Sequence, residues 1–78
     1  MKKVIDLHGL THEESLVKVE EYLLFYSFDN DLDLELITGK SPKLQQKIIN
    51  QILIKHNFNY YIPNHNTGVM FITDTRIN

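Results

Sequence analysis

Near the start of the chain, Asp6, His8 and Gly9 set a carboxylate, an imidazole and a backbone pivot within one short stretch. Side chains two apart on a strand share a face, so Asp6 and His8 stand together if this stretch is extended, and Gly9 lets the chain turn away beneath them. An imidazole titrates near neutrality and can move a proton in hydrolysis or in attack by a ribose hydroxyl. A carboxylate beside it can orient the ring or help hold a divalent cation such as Mg2+. The plainer alternative is that Asp6 caps the following loop and His8 merely packs or hydrogen-bonds there.

A second group is Thr38-Gly39-Lys40-Ser41-Pro42. Backbone amides in such a loop, together with Lys40, form a seat for phosphate; an ordinary glycine turn with a Ser-Pro helix cap is the competing reading. The Gly-Lys-Ser string is not a nucleotide-binding P-loop, because that motif needs a further glycine where this chain has Leu34, so no nucleotide cofactor is expected. Lys43 and Lys47 are four apart and share one helix face, which extends a phosphate-contacting track from Lys40 or, as is commoner, is a solvated lysine face. His8, His12 and Glu13 lack the single-helix geometry of a zinc motif. His56 and His65 have no partners at ligand spacing. Tyr60 and Tyr61 offer a surface for stacking an unpaired base, although one of two adjacent strand residues normally points inward.

These residues need elements to position them. Val4-Ile5 with Leu7 reads as a short strand that Gly9 ends. Thr11 and Glu14 form a capping box for a helix with Leu16, Val19, Leu23 and Tyr26 toward the core and Glu13, Glu20 and Glu21 toward water, running to about Phe28. Asp29-Asn30-Asp31 is a turn by composition, and the alternation from Asp31 to Ile37 predicts a strand with Leu32, Leu34 and Leu36 inward. Ser41 and Pro42 start a second helix whose buried stripe is Leu44, Ile48, Ile52 and Leu53, reaching about His56 and ended by Asn57. Phe58 to Ile62 and Val69 to Thr73 read as strands around a Pro63 to Gly68 loop. The order is βαβαββ, an α/β (α+β) sandwich with a mixed, mostly parallel four-stranded sheet and two helices.

The whole chain of 78 residues reads as a single domain, 1–78. It carries no cysteine, which excludes a disulfide framework, a thiolate metal site and a cysteine nucleophile. No apolar run approaches the roughly 18 to 20 residues a membrane span needs, and the first residues do not read as a signal peptide; the expectation is a cytoplasmic protein without a membrane partner. Ten acidic and eight basic residues give a net charge of −2. Asp29, Asp31, Asp33 and Glu35 crowd one segment while Lys40, Lys43 and Lys47 have no acid among them, so the surface is expected to be locally basic on a globally acidic molecule.

The string Ile5-Asp6-Leu7-His8-Gly9-Leu10 resembles the Leu-Asp-Leu-His-Gly hallmark of the Smr (small MutS-related) domain family. Glu13 and Glu14 look like the acidic start of its first helix. Leu36-Ile37-Thr38-Gly39-Lys40 resembles its second motif, a Thr/His-Gly-x-Gly loop, and Asn66-Thr67-Gly68-Val69 is similar to its glycine-rich turn before the last strand. The resemblance implies a βαβαββ fold like the carboxy-terminal domain of a bacterial translation initiation factor, and nuclease activity on DNA or RNA. It makes Asp6 and His8 the catalytic pair, with Gly9, Gly39 and Lys40 shaping the phosphate site. Ser41 stands where the family has its second glycine, and Pro42 follows it with one amide donor fewer.

Three functional readings follow. The first is an endonuclease in which Lys40, Lys43, Lys47 and the Gly39 loop hold phosphates while Asp6 and His8 promote cleavage. The second is a binding module without catalysis, for structured RNA, branched DNA or the ribosome, which the Ser41-Pro42 departure and the acidic balance favour. The third is a protein-interaction domain using the acidic Asp29 to Glu35 segment.

Overall fold

The computed structural model describes residues 2–26 and 32–73. Within them the chain forms β1 (Lys3–Asp6), α1 (His12–Tyr26), β2 (Asp33–Ile37), α2 (Pro42–Ile48), a π-helical continuation of α2 (Ile49–Leu53), β3 (Asn59–Tyr61) and β4 (Val69–Thr73). The expected helix end at Phe28, the Asp29-Asn30-Asp31 turn and the side chain of Tyr26 lie outside what is described. Among the described residues no helix is long and apolar enough to cross a membrane.

Local chemistry accounts for the element ends. The Thr11 amide donates to Glu14 Oε1 at 2.9 Å and the Glu14 amide to Thr11 Oγ1 at 3.0 Å, which is the capping box read from the sequence. Ser41 caps α2, accepting the Leu44 amide at 3.4 Å, with Pro42 at the first helical position. Asn57, at φ +63°, ends the second helical stretch, and the Phe58 amide reaches back to the Leu53 carbonyl at 2.8 Å. Helical periodicity does not announce the π turn, in which the Ile54 amide bonds back to the Ile49 carbonyl across five residues. Its wider turn keeps both Ile48-Ile49 and Ile52-Leu53 against the core.

The strands form an open, mixed four-stranded sheet in the order β1-β2-β4-β3. β1 runs parallel to β2, and β4 runs antiparallel to both of its neighbours. The expected mostly parallel sheet is thus corrected, since β1 with β2 is the sole parallel pairing among the described strands. Strand composition explains the order. β4 buries Val69, Met70 and Ile72 and belongs at the centre, whereas all three residues of β3 are exposed and suit an edge. β4 therefore lies between β2 and β3.

α1 and α2 pack on one face of the sheet. Ile5, Leu34, Leu36, Met70 and Ile72 meet Val19, Leu23, Ile48 and Leu53 there. Leu16 sits at the margin of this core, and Ser15 takes a fully buried place on α1. Among the described residues no helix covers the other face of the sheet. Pairing register sets Val4, Glu35, Phe71 and Tyr61 in one row across it. Tyr61 stacks on Phe71 with ring centres 5.1 Å apart, and Lys2 Nζ lies 3.3 Å from Glu35 Oε1 and 4.9 Å from the Phe71 ring centre. Because β3 is an edge strand, Tyr60 is also exposed rather than drawn into the core.

Candidate functional site

Parallel pairing sets Asp6 opposite Ile37, and the Leu7 amide continues the ladder by donating to the Ile37 carbonyl at 3.0 Å. The loops that follow, carrying His8-Gly9 and Thr38-Gly39-Lys40, therefore leave the sheet side by side. Ile37 also pairs with Val69 on its other side, so the Asn66-Thr67-Gly68 turn enters at the same end. All three sequence motifs converge on one edge of the molecule.

In the first loop, Asp6 Oδ1 accepts the His8 amide at 2.9 Å. The carboxylate thus fixes the backbone beneath the imidazole instead of bonding the ring. His8 is exposed, and its ring has no hydrogen-bond partner among the described residues. Gly9 adopts φ +82°, a left-handed conformation that costs an L-residue roughly 1 to 2 kcal/mol. A β-carbon there would touch nothing within 4 Å, so the dihedral and not space calls for glycine.

The second loop is tied to the third. The amides of Thr38 and Gly39 both donate to the Gly68 carbonyl, at 3.0 and 2.9 Å, and the Ser41 amide donates to the Gly39 carbonyl at 2.8 Å. These donors are engaged inside the protein, which leaves the exposed Lys40 ammonium as the main group this loop offers an anion. Gln45, almost fully buried, clamps the junction: its Nε2 donates to Thr38 Oγ1 at 2.9 Å and to the Thr67 carbonyl at 2.8 Å. No local motif marks Gln45 as a site residue. The available signal was a polar residue next to Leu44 on the apolar stripe of α2.

The lysine track is partly as expected. Lys43 is exposed, but Lys47 is half-buried and its Nζ lies 3.2 Å from His12 Nδ1, where the lysine donates to an unprotonated ring nitrogen. Lys47 thereby ties α2 to the first residue of α1. The spacing of His12 suggests no role beyond metal ligation, because its contact with Lys47 spans 35 positions. Elsewhere, His56 Nε2 lies 3.2 Å from Glu20 Oε2 and joins the turn after the second helical stretch to α1. Among the described residues no group of three His, Asp or Glu side chains could hold a metal ion, so a cation at Asp6 would need other ligands from water or substrate.

Comparison of the chain with models of protein families, with curated proteins and with solved structures finds no match.

Proposed function

We propose that this protein is a nucleic-acid-binding module that cleaves phosphodiester bonds in DNA or RNA, with the βαβαββ fold of the Smr family and of the carboxy-terminal domain of a bacterial translation initiation factor. One observation carries the reading: Asp6-Leu7-His8-Gly9 and Thr38-Gly39-Lys40 lie side by side at the carboxyl ends of the parallel pair β1 and β2. Open sheets with strand-helix crossovers bind ligands at that end. His8, exposed and with no hydrogen bond to its ring among the described residues, takes a proton from the attacking water or ribose hydroxyl. Asp6 holds the His8 backbone through Oδ1 and would help bind a divalent cation such as Mg2+, which would polarise the phosphate. Lys40 and Lys43 neutralise flanking phosphates.

A second reading, a non-catalytic module for structured RNA, branched DNA or the ribosome, is favoured by a separate observation. The Asp6 carboxylate serves a backbone amide and the Thr38 and Gly39 amides serve Gly68, so much of the polar chemistry at this end is structural.

A gel assay of labelled single-stranded RNA and branched DNA, with and without magnesium, separates the two when the His8→Ala protein is run alongside. Cleavage that disappears in His8→Ala supports the nuclease. Cleavage that persists in His8→Ala removes His8 from the mechanism, and shifted but intact strands with both proteins select the binding module.

A further inference from the structure

β1 lies at the edge of the sheet, and among the described residues it pairs with β2 alone. Its Leu7 amide faces β2. Alternate residues of a strand turn their backbone groups to the same side, so Lys3 and Ile5 also face β2 while the amides and carbonyls of Lys2, Val4 and Asp6 face outward. The side chains of these three stand on the uncovered face, where Val4 is 48% exposed and Lys2 reaches Glu35 and Phe71. On the other face, Ile5, Tyr22 and Phe25, with Lys3, Lys18 and Glu21, line a shallow groove between β1 and α1. An edge of this kind is a template for another strand.

We propose that β1 pairs antiparallel with β1 of a second copy about a two-fold axis through Val4, joining the two sheets into one. Charge selects both the partner and the register. Residues directly opposite in an antiparallel pair share a face. Centred on Val4, the axis sets Val4 against the partner's Val4 and Lys2 against the partner's Asp6, and symmetry repeats the charge pair at the other end. An axis through Lys2 or through Asp6 opposes like charges. An axis through Lys3 sets Lys2 against valine, and one through Ile5 sets Asp6 against valine, so neither answers the charge. The Val4 register also places Lys3 opposite the partner's Ile5, in the groove where Glu21 can answer its charge.

The pairing does not rest on the proposed function, but it bears on the candidate site. In the dimer each Lys2, which within one chain lies 3.3 Å from Glu35 Oε1, also stands opposite the partner copy's Asp6, the carboxylate that accepts the His8 amide.

The test is sedimentation of the whole chain between about 1 µM and about 1 mM, the range in which weak association is read. The wild type is expected to pass from the mass of one chain to that of two. Val4→Pro removes an outward amide without touching the β2 ladder, and is expected to stay monomeric while keeping the wild-type circular dichroism. Lys2→Glu and Asp6→Lys are each expected to weaken association about tenfold, and the double variant Lys2→Glu/Asp6→Lys to restore it. A wild type that keeps the mass of one chain at the highest concentration overturns the proposal, as does a double variant no better than the single ones. Should Val4→Pro fail to fold, the charge exchange decides alone.

Discussion

Asp6 and Ser15 are the two polar side chains whose surroundings say most about single residues in this protein. The spacing of Asp6 and His8 places them on one strand face, yet it does not tell whether the carboxylate meets the ring or the backbone. The structure gives the backbone, with His8 N to Asp6 Oδ1 at 2.9 Å. Where a strand ends in a turn, an aspartate can reach the amide two residues on, whereas a bond to the imidazole depends on rotamers that no local pattern dictates. Ser15 is the reverse case. It is fully buried on α1, and among the described residues its Oγ has no hydrogen-bond partner. An unsatisfied buried polar group costs about 1 to 3 kcal/mol, and alanine is the better helix former by about 0.5 kcal/mol. Ser15→Ala is therefore expected to stabilise the protein by about 1 kcal/mol, seen as a higher urea midpoint at an unchanged slope. A lowered midpoint would mean that the hydroxyl has a bound partner.

Elements were legible where their ends are fixed by neighbours in sequence. Thr11 with Glu14, Ser41 with Pro42, and Asn57 all terminate helices through bonds spanning only a few residues, and such chemistry is written in the chain itself. The insertion of β4 between β2 and β3 was not legible, because it depends on how the apolar surface of Val69–Thr73 competes with that of Asn59–Tyr61 for a central place. The π turn after Ile48 belongs to the same class, since tertiary packing and not helical periodicity demands it. Gln45 shows how such non-local bonds organise the candidate site: from α2 it holds both the Thr38 loop after β2 and the Thr67 turn before β4. Gln45→Leu keeps the bulk and removes the donor. It leaves the Thr67 carbonyl without this bond, for an expected loss of about 2 kcal/mol. The loss should be local as well as global, so amide exchange at Thr38 and Gly39 is expected to accelerate more than at Leu34 or Ile72. Uniform acceleration would show that Gln45 supports the core and not the loops.

At the scale of the whole molecule, a net charge of −2 means that any attraction to a phosphate backbone has to come from a local patch. The described basic groups at the loop end of the sheet are unequal. Lys40 and Lys43 are exposed, while Lys47 is half-buried with its ammonium on His12. Binding to a polyanion releases counterions, and the logarithm of affinity falls with the logarithm of salt by about 0.7 for each phosphate neutralised on a single strand and about 0.9 on duplex DNA. If the loop end is the interface, Lys40→Ala and Lys43→Ala should each reduce that slope by about 1, and Lys47→Ala should reduce it less because its charge is already turned inward. Fluorescence anisotropy of a labelled oligonucleotide across a salt series measures all three slopes. Equal losses from the three lysines would mean that Lys47 leaves His12 on binding. Unchanged slopes for Lys40→Ala and Lys43→Ala would move the interface away from this end of the sheet, toward the uncovered face where Lys2 lies over Phe71.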